Sequence, residues 1–489
     1  MKEENIRIIF GLKLKQLRKE KNLSLQELSE KSGVSISYLN EIEKSKKYPK
    51  ADKVFRLAEA LEVEYDYLVS LQLEDKMKPI ADLLHSDILS ELPLDLFGIE
   101  PSSFIELLSD TPTKLNAFII TLMDISRAYD ITLEEFFLSS LRAYQEMHDN
   151  YFPQLEIQAQ SFKNKYDVPL RPGFDKLKQI LENEFHYEVI PYDFEKEVGL
   201  SKTRSLMLPG KNPKFLFNPN LTENQKIFAI GRELGYAFLN LKKRPYSSSW
   251  ITVNSFEEVL QHFQASYFSC AMLMEEKEIT KDLEAFFSHQ KLDHELLLGL
   301  IEKYNVTPET LVYRLTNILP KHFGLKELFF LRIGKNVPSG QFSLNKELHL
   351  TGIHHPHGSK NQEDYCRRWV SATIFDDFSQ SQTSRIGKAQ YSFYPDGQSY
   401  FVFAIAYQSG MKRQEQISIS FGLKVNAQFK RKVKFHNDQQ IQLKHVGTTC
   451  QACPVENCEV RVAPPIKLQK LQSQIDKENK LALVKKQFS

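Results

Sequence analysis

Thr449-Cys-Gln-Ala-Cys-Pro-Val-Glu-Asn-Cys458 spaces three thiols two and four residues apart, so one turn-rich loop can present Cys450, Cys453 and Cys458 to a single centre. Soft thiolates select zinc or an iron-sulfur cluster, and either ordinarily takes a fourth ligand. Crowding three of five cysteines into so short a segment is not how disulfide scaffolds are laid out, which points to a reducing cytoplasm. Cys270 sits in an apolar helical run and reads as core.

The N-terminus carries a different chemistry. Leu12, Leu14 and Leu17 recur at helical spacing with Lys13, Lys15, Arg18 and Lys19 between them, a basic amphipathic helix. Ser24 can cap a following short helix, Gly33 can supply a tight turn at positive φ, and Ser35 can cap the next helix. Two short helices joined by a glycine turn have the geometry that enters a major groove. Leu39 and Ile42 then face inward, leaving Gln26, Ser35, Ile36, Ser37, Tyr38 and Asn40 as candidates for the DNA face. Lys44, Lys46 and Lys47 follow as phosphate partners, which makes affinity salt-dependent.

These residues resemble the Xre family of regulators, and Ser37-Tyr-Leu-Asn-x-Ile-Glu43 is similar to its short-chain fatty-acid-responsive branch. That branch includes the propionate-catabolism regulators. The family usually has Gln where Leu25 stands, so operator affinity is expected to lean on Asn40 and the lysines.

Gly231-Arg-Glu-Leu-Gly-Tyr-Ala237 lies where a zinc peptidase carries His-Glu-x-x-His, two histidines one turn apart with the glutamate as general base. Only Glu233 is retained. The following Gln264-Ala-Ser-Tyr-Phe-Ser-Cys-Ala-Met-Leu-Met274 resembles the second helix of the ImmA/IrrE metallopeptidases, and that resemblance puts Arg232, Tyr236 and Gln264 at the three ligand positions. A guanidinium repels zinc, and phenol or amide groups are poor substitutes, so peptidase activity is not expected. Arginine and tyrosine suit an anionic ligand. The resemblance implies an acyl-coenzyme A effector, with Arg204, Arg232, Tyr236, Tyr267 and Arg314 as candidate contacts.

At the other end, Cys450-x-x-Cys453-x-x-x-x-Cys458-x-x-Arg461 with Pro464-Pro465 resembles the C-terminal region of the same family. Cys366 stands where that family has a cysteine followed three positions later by tryptophan, here Trp369. The resemblance implies a four-iron four-sulfur cluster on Cys366, Cys450, Cys453 and Cys458, with zinc as the alternative.

Positioning these groups takes several domains, and 489 residues suggest about three. The expected class is multidomain α+β: an all-α helix-turn-helix domain over 1–70, a helical connector or dimerisation segment over 71–165, an α+β peptidase-like sensory domain over 166–328, and a C-terminal α+β domain with a four-cysteine metal site over 329–489. Within these, 186–191 alternates like a strand, 205–208 and 214–218 form a hairpin, and 223–241 is a helix. Strands follow at 329–333, 389–394 and 400–407, with Pro395-Asp-Gly397 as a turn. The apolar run 117–128 belongs to the connector.

A net charge of +2 excludes a uniformly basic protein and leaves DNA affinity to a local patch. Neither a cleavable leader nor an 18-residue apolar span is present in the sequence, so no membrane association is expected. The reading is a non-enzymatic cytoplasmic regulator that binds double-stranded operator DNA as a homodimer and senses a short-chain acyl-coenzyme A. Two alternatives are a surviving zinc-dependent ImmA/IrrE-type peptidase acting on a repressor, with Glu233 as base, and a phage or toxin-antitoxin regulator.

Overall fold

A computed structural model describes residues 3–70, 132–197, 200, 203–246, 255–350, 364–409 and 415–488. The chain divides into two units, Met1–Ser140 and Leu141–Ser489. The apolar run 117–128, and with it most of the connector, lies outside the described residues.

The first unit begins with five helices: α1 (Glu3–Glu20), α2 (Leu25–Ser32), α3 (Ile36–Glu43), α4 (Ala51–Ala60) and α5 (Tyr65–Val69). Local chemistry fixes the middle of this bundle. Ser24 Oγ accepts from Glu27 N at 3.1 Å while the Glu27 carboxylate accepts from Ser24 N at 2.7 Å, a reciprocal cap that satisfies two otherwise orphaned donors. Gly33 ends α2 at φ +68°, a conformation that a β-carbon would penalise, and its N–H reaches Ser29 O at 2.9 Å. Leu14, Leu28, Leu39, Ile42, Leu57 and Leu61 fill the shared core.

Two of the basic groups on α1 do not belong to a solvated face. Lys13 is buried, and its Nζ donates to Tyr67 O at 2.8 Å and Ser70 O at 2.6 Å, closing the C-terminal end of α5. Arg18 donates to both oxygens of Glu43 on α3 at 2.6 and 2.9 Å. These side chains hold the bundle together, so the basic patch expected on α1 is smaller than its composition suggests.

Helix α6 (Leu133–Met147) crosses the boundary between the units. The second unit continues with α7 (Pro153–Lys165), α8 (Phe174–Phe185), β1 (Glu188–Pro191), β2 (Ser205–Leu208), β3 (Lys214–Phe217), α9 (Glu223–Phe238) and α10 (Phe256–Leu273). Strand β3 is central in a three-stranded sheet, parallel to β1 and antiparallel to β2, with Ser205 opposite Phe217. The hairpin read from the sequence therefore forms. Helix α7, placed in the connector by the sequence reading, packs on α10 inside the second unit. Phe162 meets Phe238 and Phe268 edge-on at 5.2 and 5.4 Å between ring centroids. Such pairs are favourable beyond the area they bury.

After α11 (Glu276–Ser288), α12 (His294–Tyr304) and α13 (Pro308–Ile318) the chain builds a six-stranded sheet of order β5-β4-β8-β7-β6-β9. Its strands are β4 (Leu328–Asn336), β5 (Phe342–His349), β6 (Arg385–Phe393), β7 (Ser399–Gln408), β8 (Glu415–Lys424) and β9 (Gln442–His445). The β6–β9 pairing is parallel and the other four are antiparallel. Phe329, Leu331, Tyr400, Val402 and Ala404 project toward Val370, Ile374 and Phe375 of α14 (Val370–Gln380). Phe401 and Phe403 point the other way, Phe401 against Phe429 and Phe435, Phe403 against His294. With both faces covered, β7 reads as an uninterrupted apolar run. A short helix α15 (Ala427–Lys432) follows β8, and α16 (Ile466–Phe488) closes the chain.

Candidate functional site

The helix-turn-helix exposes most of the residues picked from the sequence. Gln26, Ser35, Ile36, Ser37, Asn40, Lys46 and Lys47 are exposed, and Tyr38 and Lys44 are half-buried. Ser35 Oγ accepts from Tyr38 N at 3.4 Å and starts α3 there. Tyr38 is partly engaged within the unit: Lys53 Nζ lies 4.1 Å from its ring centroid and its hydroxyl donates to Tyr48 O at 3.5 Å. Lys47 pairs with Glu41 at 2.8 Å, and Gln26 donates to Glu30 at 3.3 Å. Leu25 packs against the bundle core, which explains an apolar residue where the Xre pattern has glutamine.

The peptidase-like helix α9 starts from a capping box in which Thr222 N donates to the Gln225 side chain at 3.1 Å. It places Arg232, Glu233 and Tyr236 around a recess also lined by Ser205, Met207, Phe215, Arg244, Pro245, Tyr246 and His262. Their own side chains fill it. Arg244 donates to both oxygens of the buried Glu233 at 2.6 Å each, and its guanidinium carbon lies 3.7 Å from the Tyr236 ring centroid. The Tyr236 hydroxyl meets His262 Nδ1 at 2.9 Å, and Arg232 Nη2 reaches Ser205 Oγ at 3.4 Å. The remaining cavity is about 10 Å³, room for one water at most.

Electrostatics follow from this crowding. Burial, then the cations of Arg232, Lys346 and Arg244, push the His262 imidazole well below its ordinary range and keep it neutral. Burial and the nearby Arg244 and Arg204 lower the Arg232 guanidinium, while burial raises the Tyr236 phenol. The α10 side chain facing the recess is His262. Gln264, assigned by resemblance to the third ligand position, is two residues further along the helix and does not line it.

The remaining ligand candidates separate. Arg204 adds positive charge near Arg232 and also near Glu309. There burial pushes the Glu309 carboxyl up, but Lys346, Arg332 and Arg204 more than offset this and hold it at about 2. Arg314 and Tyr267 belong to another centre. Arg314 is fully buried and donates to both oxygens of Glu156 on α7 at 2.6 and 2.8 Å, with its Nε on Met274 O at 3.1 Å. The Tyr267 hydroxyl donates to the same Glu156 at 2.6 Å. This triad ties α7, α10 and α13 together and is not part of the Arg232–Tyr236 recess.

The cysteine loop assembles by strand pairing. Cys366 N donates to Thr448 O at 3.1 Å and Cys450 N to Asp364 O at 2.8 Å, which brings Cys366 beside the 450–458 segment. Cys366, Cys450 and Cys453 are buried, Cys458 is half-buried, and all four are free thiols. Gly447 sits between two of them. Its N–H points at Cys366 Sγ at 3.4 Å, and a β-carbon there would lie 2.8 Å from Cys453 Sγ. Arg461 gathers the loop by donating to the carbonyls of Cys450 at 2.9 Å, Cys453 at 3.2 Å and Val455 at 2.5 Å. Trp369 Nε1 donates to Gly447 O at 2.9 Å and closes it from the sheet side. Three thiols of the 450–458 loop with Cys366 beside it are soft donors of the kind a thiophilic metal or cluster takes, with Arg461 and the Gly447 N–H as outer partners. Among the described residues, however, no group of three or more His, Cys, Asp or Glu side chains is drawn together as a metal-binding set, the expected four-cysteine site included.

Arg244, His262 and Glu156 were not singled out from the sequence. Each acquires its role from a partner brought in by tertiary contact. The one available signal was Arg244 itself, a basic residue shortly after the peptidase-like helix.

Comparison with known proteins covers most of these parts. Residues 14–68 match the Helix-turn-helix family, residues 189–316 the IrrE N-terminal-like domain, and residues 329–482 the family described as Short-chain fatty acyl coenzyme A regulator, C-terminal. The HTH-type transcriptional regulator RamB of Mycobacterium tuberculosis, from strains CDC 1551 / Oshkosh and ATCC 25618 / H37Rv, is 21% identical over 484 residues. That alignment spans 93% of this chain and 94% of the relative. A solved Mycobacterium tuberculosis transcriptional regulator aligns at a TM-score of 0.46 and 18% identity, covering 66% of this chain and 93% of that one. Among the described residues no helix is long and apolar enough to cross a membrane. The chain thus carries, in this order, an Xre-type helix-turn-helix, an IrrE-like domain and a short-chain fatty acyl coenzyme A regulator C-terminal domain, the combination its motifs resemble, and is weakly similar to RamB along most of its length.

Proposed function

We propose that this protein is a cytoplasmic transcription regulator that binds operator DNA as a homodimer and changes its operator affinity on binding a short-chain acyl-coenzyme A. The observation that carries the reading is the Arg232–Tyr236–His262 recess with Arg244 locked onto Glu233. A general base must be free to take a proton from water, and a carboxylate saturated by a bidentate guanidinium is not. The domain accordingly acts as a sensor and has no peptidase activity. Arg232 and Arg244 line the recess and Arg204 lies near Arg232, against the carboxylates of Glu233 and, beside Arg204, Glu309; this gathering of guanidinium groups suits phosphate or carboxylate groups. An acyl-coenzyme A is far larger than the present cavity, so binding opens the recess, and that opening is the switch.

Cys366, Cys450, Cys453 and Cys458 would hold a four-iron four-sulfur cluster, zinc being the alternative; the cluster would add redox or iron dependence. Gly447 and Arg461 shape the loop around those thiols. Isothermal titration of the intact protein with acetyl-, propionyl- and free coenzyme A tests the effector. Binding in the micromolar range that is lost in Arg232→Ala supports the reading, and no heat with any of the three overturns it. Peptide cleavage that requires Glu233 would instead favour a peptidase.

A further inference from the structure

Helix α3 leaves one aliphatic side chain in solvent. Ile36, its first residue, is 47% exposed, whereas Leu39 and Ile42 on the same helix are completely buried. Ser35 and Ser37 beside it are exposed and too small to cover it, and Tyr38 turns toward Lys53 and Tyr48. Asn40, one turn on and therefore on the same face, is also exposed. About half of its surface is left uncovered by the bundle and is open to a partner.

Resting on the reading that α3 enters a major groove, we propose that Ile36 is a specificity-determining residue that packs on the C5-methyl group of a thymine. The groove edges of adenine, guanine and cytosine present donors and acceptors, and the thymine methyl is the apolar group among them. An isoleucine pressed on any other edge would strip water from a polar atom and return no hydrogen bond. Asn40 complements it, because a carboxamide pairs bidentately with adenine N6 and N7. Four residues of helix advance about 6 Å, while successive bases rise about 3.4 Å. Each half-site should therefore hold the Ile36 thymine within about two base steps of the Asn40 adenine.

The test begins with operators enriched from random duplex DNA by the intact protein. Each enriched thymine is then replaced singly by deoxyuridine, which removes the methyl and nothing else, and affinity is read by fluorescence anisotropy. The expected result is one position per half-site where deoxyuridine weakens wild-type binding about fourfold, the worth of one buried methyl. Ile36→Ser, its folding checked by circular dichroism at the assay temperature, should bind the thymine and deoxyuridine operators equally, and Ile36→Val should retain the discrimination. A wild-type protein indifferent to deoxyuridine at every position overturns the assignment, as does an undiminished penalty in Ile36→Ser. If no sequence is enriched at all, the DNA-binding reading beneath it falls, an outcome distinct from the other two.

Discussion

Arg244 and Glu233 form a closed bidentate pair, Nη1 to Oε1 and Nη2 to Oε2 both at 2.6 Å, with the guanidinium stacked on Tyr236. The glutamate retained from a peptidase motif is thereby neutralised by a cation eleven residues further along the chain. Charge balance in the recess is kept by a side chain.

Breaking that pair from one side should be costly, because the surviving charge stays buried. Glu233→Ala should lower local stability by about 3–5 kcal/mol, whereas Glu233→Leu combined with Arg244→Met should recover most of it. Hydrogen exchange of the α9 and α10 amides reads the local value without requiring the whole chain to unfold in one step. Equal losses in the single and double variants would contradict this account.

Acid should loosen the same region. His262 is neutral in the folded recess, its pKa held well below 6.5 by burial and by Arg232, Lys346 and Arg244. Above about pH 6.5 the imidazole is neutral in folded and unfolded chains alike and contributes no slope. As pH falls below that value the unfolded chain takes up a proton that the folded one refuses, so stability decreases until the folded pKa is reached. His262→Gln should flatten this acid limb in urea denaturation at pH 7.5, 6.5 and 5.5. The imidazole resonance of the wild type should stay in its neutral position over that range.

Arg314 and Tyr267 should act through stability. Arg314→Met strands the Glu156 carboxylate among α7, α10 and α13 and should cost about 3–5 kcal/mol. Tyr267→Phe removes one donor from a carboxylate still gripped by Arg314 and should cost about 1 kcal/mol. Neither should change coenzyme A affinity of the folded protein at low temperature. A selective loss of affinity in Tyr267→Phe would move that tyrosine into the ligand site.

The cysteine loop should be sensitive at positions that hold no sulfur. Gly447→Val drives a side chain against Cys453, where even a β-carbon would stand 2.8 Å from Sγ. Arg461→Ala releases the carbonyls of Cys450, Cys453 and Val455 together. Both variants should bind less metal than wild type on anaerobic purification, by iron and zinc analysis, while operator binding by the N-terminal unit persists. Unchanged metal content in both would remove the loop from the proposed cluster site.

The sequence by itself determined features whose causes lie within a few residues. Ser24 with Glu27, Gly33 and Ser35 encode the start, turn and restart of the helix-turn-helix through local hydrogen bonds and one positive φ. Thr222 with Gln225 does the same for α9, alternation marks β1, and the uninterrupted apolar run 400–406 marks the buried strand β7. Tertiary structure decided which charge meets which. Lys13 reads as a solvated lysine until the chain returns 57 residues later to offer Ser70. Arg314 reads as a ligand arginine until Glu156, 158 residues away, takes both its forks. The resemblance points to Gln264, and only the packing of α10 on α9 turns His262 toward Tyr236. Propensity and spacing act along the chain, whereas desolvation selects partners in space, and a buried ion must be paired by whatever the fold brings within reach.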